Sequence, residues 1–262
     1  MNPMQRAIIR RDIRSITDNK RMLTVMIIVP IVMAIFLPAV FILTFYFTPE
    51  EWGELDTVLK LLARSFNAES FEKLLLDFLL NRVMPMFFMM IPIMAASVMA
   101  SSAFVGEKEK KTLETLLYCP LSVGQILASK VMASFLVGMA VSLLAFLSMV
   151  IVVYLLTYFT FGFLPVLGST WISALAFLSP VMSLLAITLT VLGSAKAKTV
   201  EEAQQRASYM ILPVMMLMAG QFTGLYLINA WTLLAIGGVA LIITALLVKR
   251  AAAKFTYEKL IA

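Results

Sequence analysis

Four long stretches of this 262-residue chain contain no charged side chain, and they limit the folds open to it more than any other feature. The stretches cover residues 22–49, 83–106, 131–195 and 207–248. An α-helix needs about 20 apolar residues to cross the hydrocarbon core of a bilayer. The first two stretches therefore each hold one membrane-spanning helix, and the last two are each long enough for two.

The amino-acid composition excludes the soluble classes of protein. Hydrophobic residues make up 61% of the chain and charged residues 14%, whereas soluble domains have roughly 45–50% and 25%. So few polar side chains cannot coat a globule in water, and they exclude a nucleic-acid-binding chain despite the net charge of +6. The chain is predicted to be an all-α integral membrane protein without a nucleic-acid partner.

Breaks in the two longer stretches divide them into separate spans. The third is interrupted by glycine and proline at 161–168, and Trp171 is expected to follow as an anchor at the membrane interface. The fourth has a turn near Asn229. We therefore predict six spanning helices, near residues 22–47, 83–105, 131–157, 171–193, 208–228 and 231–248.

The basic residues indicate the orientation of these spans. Six helices place both termini on one side, which receives 17 of the 21 lysines and arginines. Basic residues favour the cytoplasmic side, so both termini are predicted to be cytoplasmic in a multi-pass protein of the cell (inner) membrane. The predicted transmembrane domain covers residues 21–248, with an outer loop at 48–82 and inner loops at 106–130 and 194–207. A cytoplasmic tail follows at 249–262.

Residues 1–20 are predicted to form a helix at the cytoplasmic surface of the membrane. Ile9, Ile13 and Ile16 recur at helical spacing, and the arginines lie on other faces. Such a helix would lie on the inner leaflet with its basic face toward anionic lipid. A disordered basic tail is the alternative.

The outer loop also carries apolar residues at helical spacing, which predict two short helices that cover the bundle or dip into the headgroups. The two stripes are Leu55, Val58, Leu59 and Leu62, and then Phe71, Leu74, Leu75 and Phe78.

The first inner loop has the pattern of a helix, a break and a second helix. Glu107 and Lys111 are spaced as i,i+4 partners, which favours a helix. Pro120 is expected to end that helix. Ser122 is expected to cap a second short helix that leads to Lys130, where the third span begins.

This loop resembles the signature of the ABC-2 class of ABC-transporter permeases. The matching pattern is Glu107-x-Glu109-x-x-Thr112-Leu113-Glu114-x-Leu116-Leu117-x-x-Pro120, with Lys130 ten residues later. Many members have glycine before the threonine, where this chain has Lys111. The second inner loop, at residues 197–205, is similar to the matching loop of the sodium-export-type or multidrug-export branch of this family.

The resemblance implies a type V exporter-like fold and a division of labour between subunits. Two permease subunits, in a homodimer or a heterodimer, would each dock on a cytoplasmic ABC ATPase. ATP and Mg²⁺ would bind to that partner. A solvated loop that merely orients the spans is the alternative. The implied coupling residues are Glu107, Glu109, Thr112, Glu114, Leu116, Leu117, Pro120, Glu201, Glu202 and Gln204.

The chain lacks the motifs that an ATPase or a hydrolase of its own would need. A phosphate-binding loop has glycine followed directly by lysine, and none of the 11 glycines here is followed by lysine. With no histidine, the chain has neither a Ser-His-Asp triad nor an imidazole metal site. We predict a transport subunit that is not an enzyme and binds no cofactor or metal.

Candidate residues of a translocation route lie in the second and fifth spans, which the resemblance places beside it. Methionines in the second span could adapt to varied apolar cargo, with core packing as the alternative. Gln221 is a more specific candidate for the route, because an amide group in lipid needs a hydrogen-bond partner. The predicted route-lining residues are Met86, Met89, Met90, Gln221 and Thr223.

Small residues in these spans predict close helix contacts within the chain or across a dimer. They are Ala95, Ala96, Ala100, Ala103, Gly220 and Gly224.

The predicted function is therefore ATP-driven export of an apolar or amphipathic drug, peptide or lipid. The resemblance to the sodium-export-type branch adds Na⁺ as a candidate cargo. One alternative is a gradient-driven secondary transporter, although such carriers usually hold an ionisable residue inside a span and none is present here. The other is a non-transporting assembly or immunity subunit.

Overall fold

The computed structural model describes residues 2–48, 71–109, 121–194, 197, 199–209, 211–222 and 229–254. All regular structure in these ranges is helical. The helices are α1 (Pro3–Asp18), α2 (Lys20–Phe47), α3 (Phe71–Phe78), α4 (Met84–Glu109), α5 (Val123–Phe161), α6 (Ser169–Ser173), α7 (Ser179–Ser194), α8 (Val200–Ser208), α9 (Ile211–Phe222) and α10 (Ala230–Lys254). A π-helical turn at Leu79–Val83 joins α3 to α4, and another at Ala174–Leu178 joins α6 to α7.

Within the described residues, five helical segments are long and apolar enough to cross a membrane, which confirms the all-α membrane fold. They are Met22–Phe47, Lys73–Glu109, Val123–Phe161, Ser169–Ser194 and Ala230–Arg250. The predicted fifth span, 208–228, is described as helix only over Ile211–Phe222, and residues 223–228 lie outside the described residues.

The second span, α4, occupies the centre of the bundle. It belongs to the most deeply buried of the candidate spans in the described residues, and it packs against α5 and α7. Gly138 of α5 lies directly against Ala96, where an added Cβ would come within 3.0 Å of the Ala96 Cβ. The predicted small-residue contact is therefore made within the chain at this position.

Helix α1 forms as predicted and packs on α5 and α2. Asn2 and Gln5 form a capping box at its start, with Pro3 in the first turn. Asn19 separates α1 from α2 and accepts a hydrogen bond from the Met22 backbone N–H at 3.3 Å. The apolar side of α1, with Ile9 and Ile16, is buried in the bundle.

Helix α5 differs from its predicted division into a short helix and a separate span. Ser122 caps it as predicted, by accepting from the Gln125 N–H at 3.3 Å. The helix then continues for 39 residues to Phe161, which is about 58 Å at 1.5 Å per residue. It ends as expected at Gly162, whose φ of 74° gives a left-handed cap. Lys130 consequently lies inside a continuous helix.

The Trp171 side chain is buried at 2% exposure, so its prediction as an interface anchor is wrong. Its ring packs against Phe88 and Phe146. Its indole N–H donates to the Leu80 carbonyl at 2.9 Å. That carbonyl belongs to the π-helical turn, whose extra residue shifts the backbone hydrogen bonding of the helix.

Asn81, in the same turn, holds the connection between α5 and α6. Its side chain accepts from the Gly168 N–H at 2.7 Å and donates to the Val166 carbonyl at 2.9 Å. On the preceding helix, Leu75 and Phe78 are buried, so this predicted stripe covers the bundle. The stripe at 55–62 lies outside the described residues.

Candidate functional site

Four charged side chains from three helices meet at the end of the bundle that carries α1. Lys130 of α5 places its Nζ 2.7 Å from Glu107 Oε2 of α4 and 3.8 Å from Asp12 Oδ2 of α1. The same Nζ donates to the Ala103 carbonyl at 2.5 Å. Arg11 pairs with Asp12 at 2.8 Å and also with Glu107. We call Arg11, Asp12, Glu107 and Lys130 the ion-pair cluster.

Burial makes the pairing within this cluster necessary. The side chains of Lys130 and Asp12 are 2% and 6% exposed, and an isolated buried charge costs several kcal/mol. Two positive and two negative groups balance one another, so the cluster as a whole carries no net charge, and the half-exposed Arg11 closes it toward solvent. Burial opposes the charge of Arg11, but its hydrogen bonds and attraction to Asp12 and Glu107 raise the pKa of its guanidinium above the ordinary value.

Of the four cluster residues, only Glu107 is among the predicted functional residues, and the buried carboxylate of Asp12 was missed. The spacing does contain a signal. Ile8, Asp12 and Ile16 are four residues apart and share one helical face. All three are buried. A carboxylate in the middle of an apolar face indicates a buried cationic partner elsewhere in the chain.

The last turn of α4 also contacts the second inner loop. Glu109 Oε2 accepts from the Val200 N–H, the first residue of α8, at 3.3 Å. A carboxylate at the start of a helix is stabilised by the helix dipole. Beside this contact, Val105 packs in a small apolar cluster with Ala197 and Ala203. The end of α4 is thus held by α1 and α5 through Glu107 and by α8 through Glu109.

The other predicted coupling residues divide between the described and the undescribed parts of the chain. On α8, Glu201 is exposed, Gln204 is partly exposed and Glu202 pairs with Arg206 at 2.5 Å. Glu109, Glu201 and Gln204 line one cleft of about 340 Å³ between α8 and the start of α2. The residues that lie outside the described residues are Thr112, Glu114, Leu116, Leu117 and Pro120.

Four of the five predicted route residues lie on α4 and α9, two helices that contact each other. Three methionines of α4 are buried in one core cluster together with Val214 and Met218 of α9. The chain therefore brings its second and fifth predicted spans together, and each methionine packs within the chain. These methionines are Met86, Met89 and Met90.

Gln221 is the polar residue in this region that has an incomplete hydrogen-bond set. Its side chain is 4% exposed, and its Nε2 has no hydrogen-bond partner among the residues that the structure describes. A buried amide donor without a partner costs free energy. Thr223 lies outside the described residues. Lining of a translocation route by Gln221 and the methionines stays a prediction.

Comparison with known proteins gives one match. A family model described as "ABC-2 family transporter protein" matches residues 6–232. The matched region contains most of α1, the ion-pair cluster and both inner loops. No curated protein matches the chain, and neither does any solved structure.

Proposed function

Because the chain belongs to the ABC-2 transporter family and is a multi-pass permease subunit of an ABC transporter, we propose that it works in an ATP-driven exporter. Two permease subunits, identical or different, would pair in the cell membrane with both termini in the cytoplasm. Each would dock on one ABC ATPase subunit through residues 106–125. ATP and Mg²⁺ would bind to the ATPase. The proposal also assigns the chain to the sodium-export-type or multidrug-export branch of the family.

The main support for the proposal is that the last turn of α4 is bound to α1 and α5 on one side and to α8 on the other. An ATPase closing on the inner loop can shift the membrane equilibrium only if its motion reaches a spanning helix. Glu107 binds Lys130 and Arg11, and Glu109 binds the start of α8. A displacement transmitted to Glu109 would then move α4 together with its neighbours, because Glu107 and Glu109 both lie in the last turn of α4.

The position of α4 makes it suited to transmit that displacement. It is the central helix of the bundle, it contacts α9, and its methionines belong to the same buried core cluster as Val214 and Met218 of α9. A shift of α4 along its axis would change the packing around Met86, Met89 and Met90, and also the surroundings of Gln221. This supports a translocation route between the second and fifth spans. Its proposed lining consists of the methionines of α4 together with Gln221 and Thr223.

The cargo proposed for this route is apolar or amphipathic, such as a drug, a hydrophobic peptide or a lipid. The buried charged side chains of the described residues, Asp12 and Lys130, lie in the ion-pair cluster at one end of the bundle. Met86, Met89 and Met90 pack in an apolar cluster, a setting that does not favour a strongly anionic cargo. Na⁺ is retained as a second candidate cargo on the resemblance of the second inner loop to the sodium-export-type branch.

Reconstitution tests the proposed function directly. The permease and its ABC ATPase would be placed in proteoliposomes, and ATP-dependent movement of an amphipathic dye and of ²²Na⁺ would be followed in parallel. Movement that requires both ATP and the ATPase supports the exporter, and the direction of accumulation decides export. Movement driven by an ion gradient without the ATPase would instead establish a secondary transporter. No movement of either probe would favour a non-transporting subunit.

A further inference from the structure

An open groove of about 650 Å³ runs between α1 and the first turns of α5. Its floor is apolar and its edge is basic, a combination that neither the ion-pair cluster nor the proposed transport route uses. The lining residues are Arg6, Ile9, Arg10, Ile13, Arg14, Thr17, Met132 and Leu136.

The basic edge consists of three arginines spaced four residues apart, so they follow one face of α1. All three are exposed. Arg14 shares its charge with the exposed Asp18 at 3.6 Å. Arg6 and Arg10 have no ion pair with any residue that the structure describes. The carboxylate of Asp12, on the opposite side of α1, is already occupied by Arg11 and Lys130.

The apolar floor continues along α5 toward the centre of the membrane. Met132 and Leu136 are 42% and 47% exposed, and they begin a stripe of exposed apolar side chains. The stripe continues through Leu143, Leu147, Ile151 and Leu155. From Met132 to Leu143 the helix rises about 17 Å at 1.5 Å per residue. This is close to half of a hydrocarbon core about 30 Å thick, the depth of one leaflet.

We propose that this groove binds one anionic phospholipid from the leaflet in which α1 lies. The phosphate and headgroup would contact Arg6, Arg10 and Arg14, and an acyl chain would lie on Met132 and Leu136. Charge complementarity selects the anionic headgroup, because a phosphodiester matches arginine geometry and a zwitterionic lipid would add an unmatched cation beside three guanidinium groups. The bound lipid would hold α1 against α5. This inference goes beyond the proposed function and holds whatever the cargo.

Native mass spectrometry of the delipidated full-length protein tests the proposal with dioleoyl phosphatidylglycerol and dioleoyl phosphatidylcholine as probes. We expect one phosphatidylglycerol to bind more tightly than phosphatidylcholine. The variant R6Q/R10Q/R14Q should lose about tenfold or more of this affinity, because each basic residue at a membrane surface contributes substantially to anionic lipid binding. Equal affinity of the wild-type protein for the two lipids would overturn the proposal.

A matched variant separates a site from general attraction to positive charge. K20Q/K249Q/R250Q removes three exposed basic residues that do not line the groove, with the same change of net charge. We expect it to bind phosphatidylglycerol within about twofold of wild type. An equal loss in both triple variants would show only non-specific electrostatics and would overturn the site.

The apolar half of the proposal needs its own test. M132S/L136S should weaken phosphatidylglycerol binding, whereas I151S/L155S, at the far end of the same exposed stripe, should not. Glycerophosphoglycerol and inorganic phosphate, which lack acyl chains, should fail to compete at the same concentration. Competition by either would reveal an anion site without a lipid requirement, and unchanged affinity in M132S/L136S would exclude the acyl contact.

Discussion

The ammonium group of Lys130 lies 2.7 Å from the carboxylate of Glu107, and this ion pair joins the start of α5 to the last turn of α4. The lysine is 2% exposed and also donates to the Ala103 carbonyl. The helices on either side of residues 110–122 are therefore joined directly by this charge pair. Asp12 and Arg11 extend the connection to α1.

Replacing Lys130 with glutamine is expected to destabilise the protein by about 3–5 kcal/mol, because it leaves buried carboxylates without their main cation. The control is Lys108→Gln, which removes an exposed lysine from the same end of α4 and should change stability by about 0.5 kcal/mol or less. The measurement is reversible unfolding in detergent micelles. Similar losses in the two variants would contradict a buried ion pair at Lys130.

The coupling between Lys130 and Glu107 can be isolated by a double-mutant cycle. We expect the combined variant K130Q/E107Q to be more stable than the sum of the single effects predicts, by about 1–3 kcal/mol, because residues in one ion-pair network are not additive. Unfolding free energies of the wild type, both single variants and the double variant provide the cycle. Strict additivity would mean that the two side chains do not interact in the membrane-embedded protein.

Glu109→Lys is expected to uncouple ATP hydrolysis from transport. The new ammonium group would repel the positive end of the α8 dipole at Val200 instead of accepting its N–H. Transport in proteoliposomes with the ABC ATPase should fall by about tenfold or more, a typical size for allosteric coupling. Basal hydrolysis by the ATPase and membrane insertion should persist.

Asp18→Lys is the control for this prediction, because Asp18 is an exposed acid at the end of α1 that makes only an exposed pair with Arg14. Its transport rate should stay within about twofold of wild type. Undiminished transport by Glu109→Lys would refute the role of α8 contacts in transmission.

Trp171→Phe should lower stability by about 1–2 kcal/mol, since it leaves the Leu80 carbonyl of the π-helical turn without its indole donor. The aromatic packing against Phe88 is largely kept in this variant. Trp231→Phe is the matched control, because Trp231 is 78% exposed. Thermal unfolding of the two variants in one detergent compares them, and an equal effect would show that the hydrogen bond contributes nothing.

The proposed orientation can be tested by cysteine labelling after Cys119 is replaced with serine. A cysteine at position 67 should react with a membrane-impermeant maleimide from outside intact cells. A cysteine at 205 should react only after the membrane is opened. Gln205 is chosen because it is exposed on α8, whereas its neighbour Ala203 is buried. Labelling of both positions from one side would contradict the six-span topology.

Local features of the fold were predictable because they depend on residues close together in the chain. The serine at 122 predicts the helix start that the structure has. The glycine and proline residues after 161 predict the break before α6. The spans themselves follow from hydropathy, since a helix in lipid must satisfy its own backbone hydrogen bonds.

Features that depend on helix packing were not predictable in the same way. Trp171 was expected at the interface because tryptophan is common there, but Phe88 and Phe146 surround it in the folded chain. The partition of α5 at Lys130 was wrong for a related reason. A lysine suggests the edge of a span, yet here Glu107 and Asp12 neutralise it inside a continuous helix.

Hydropathy and charge along the chain were enough to assign a helical membrane protein, because lipid forces each segment to satisfy its backbone locally. The inner-loop pattern was enough to suggest the family. Only the tertiary structure could bring Asp12, Glu107 and Lys130 together, since the first of them lies 95 residues from the second along the chain. Buried charges are tolerated only as a complete set. That set exists only after α1, α4 and α5 have packed.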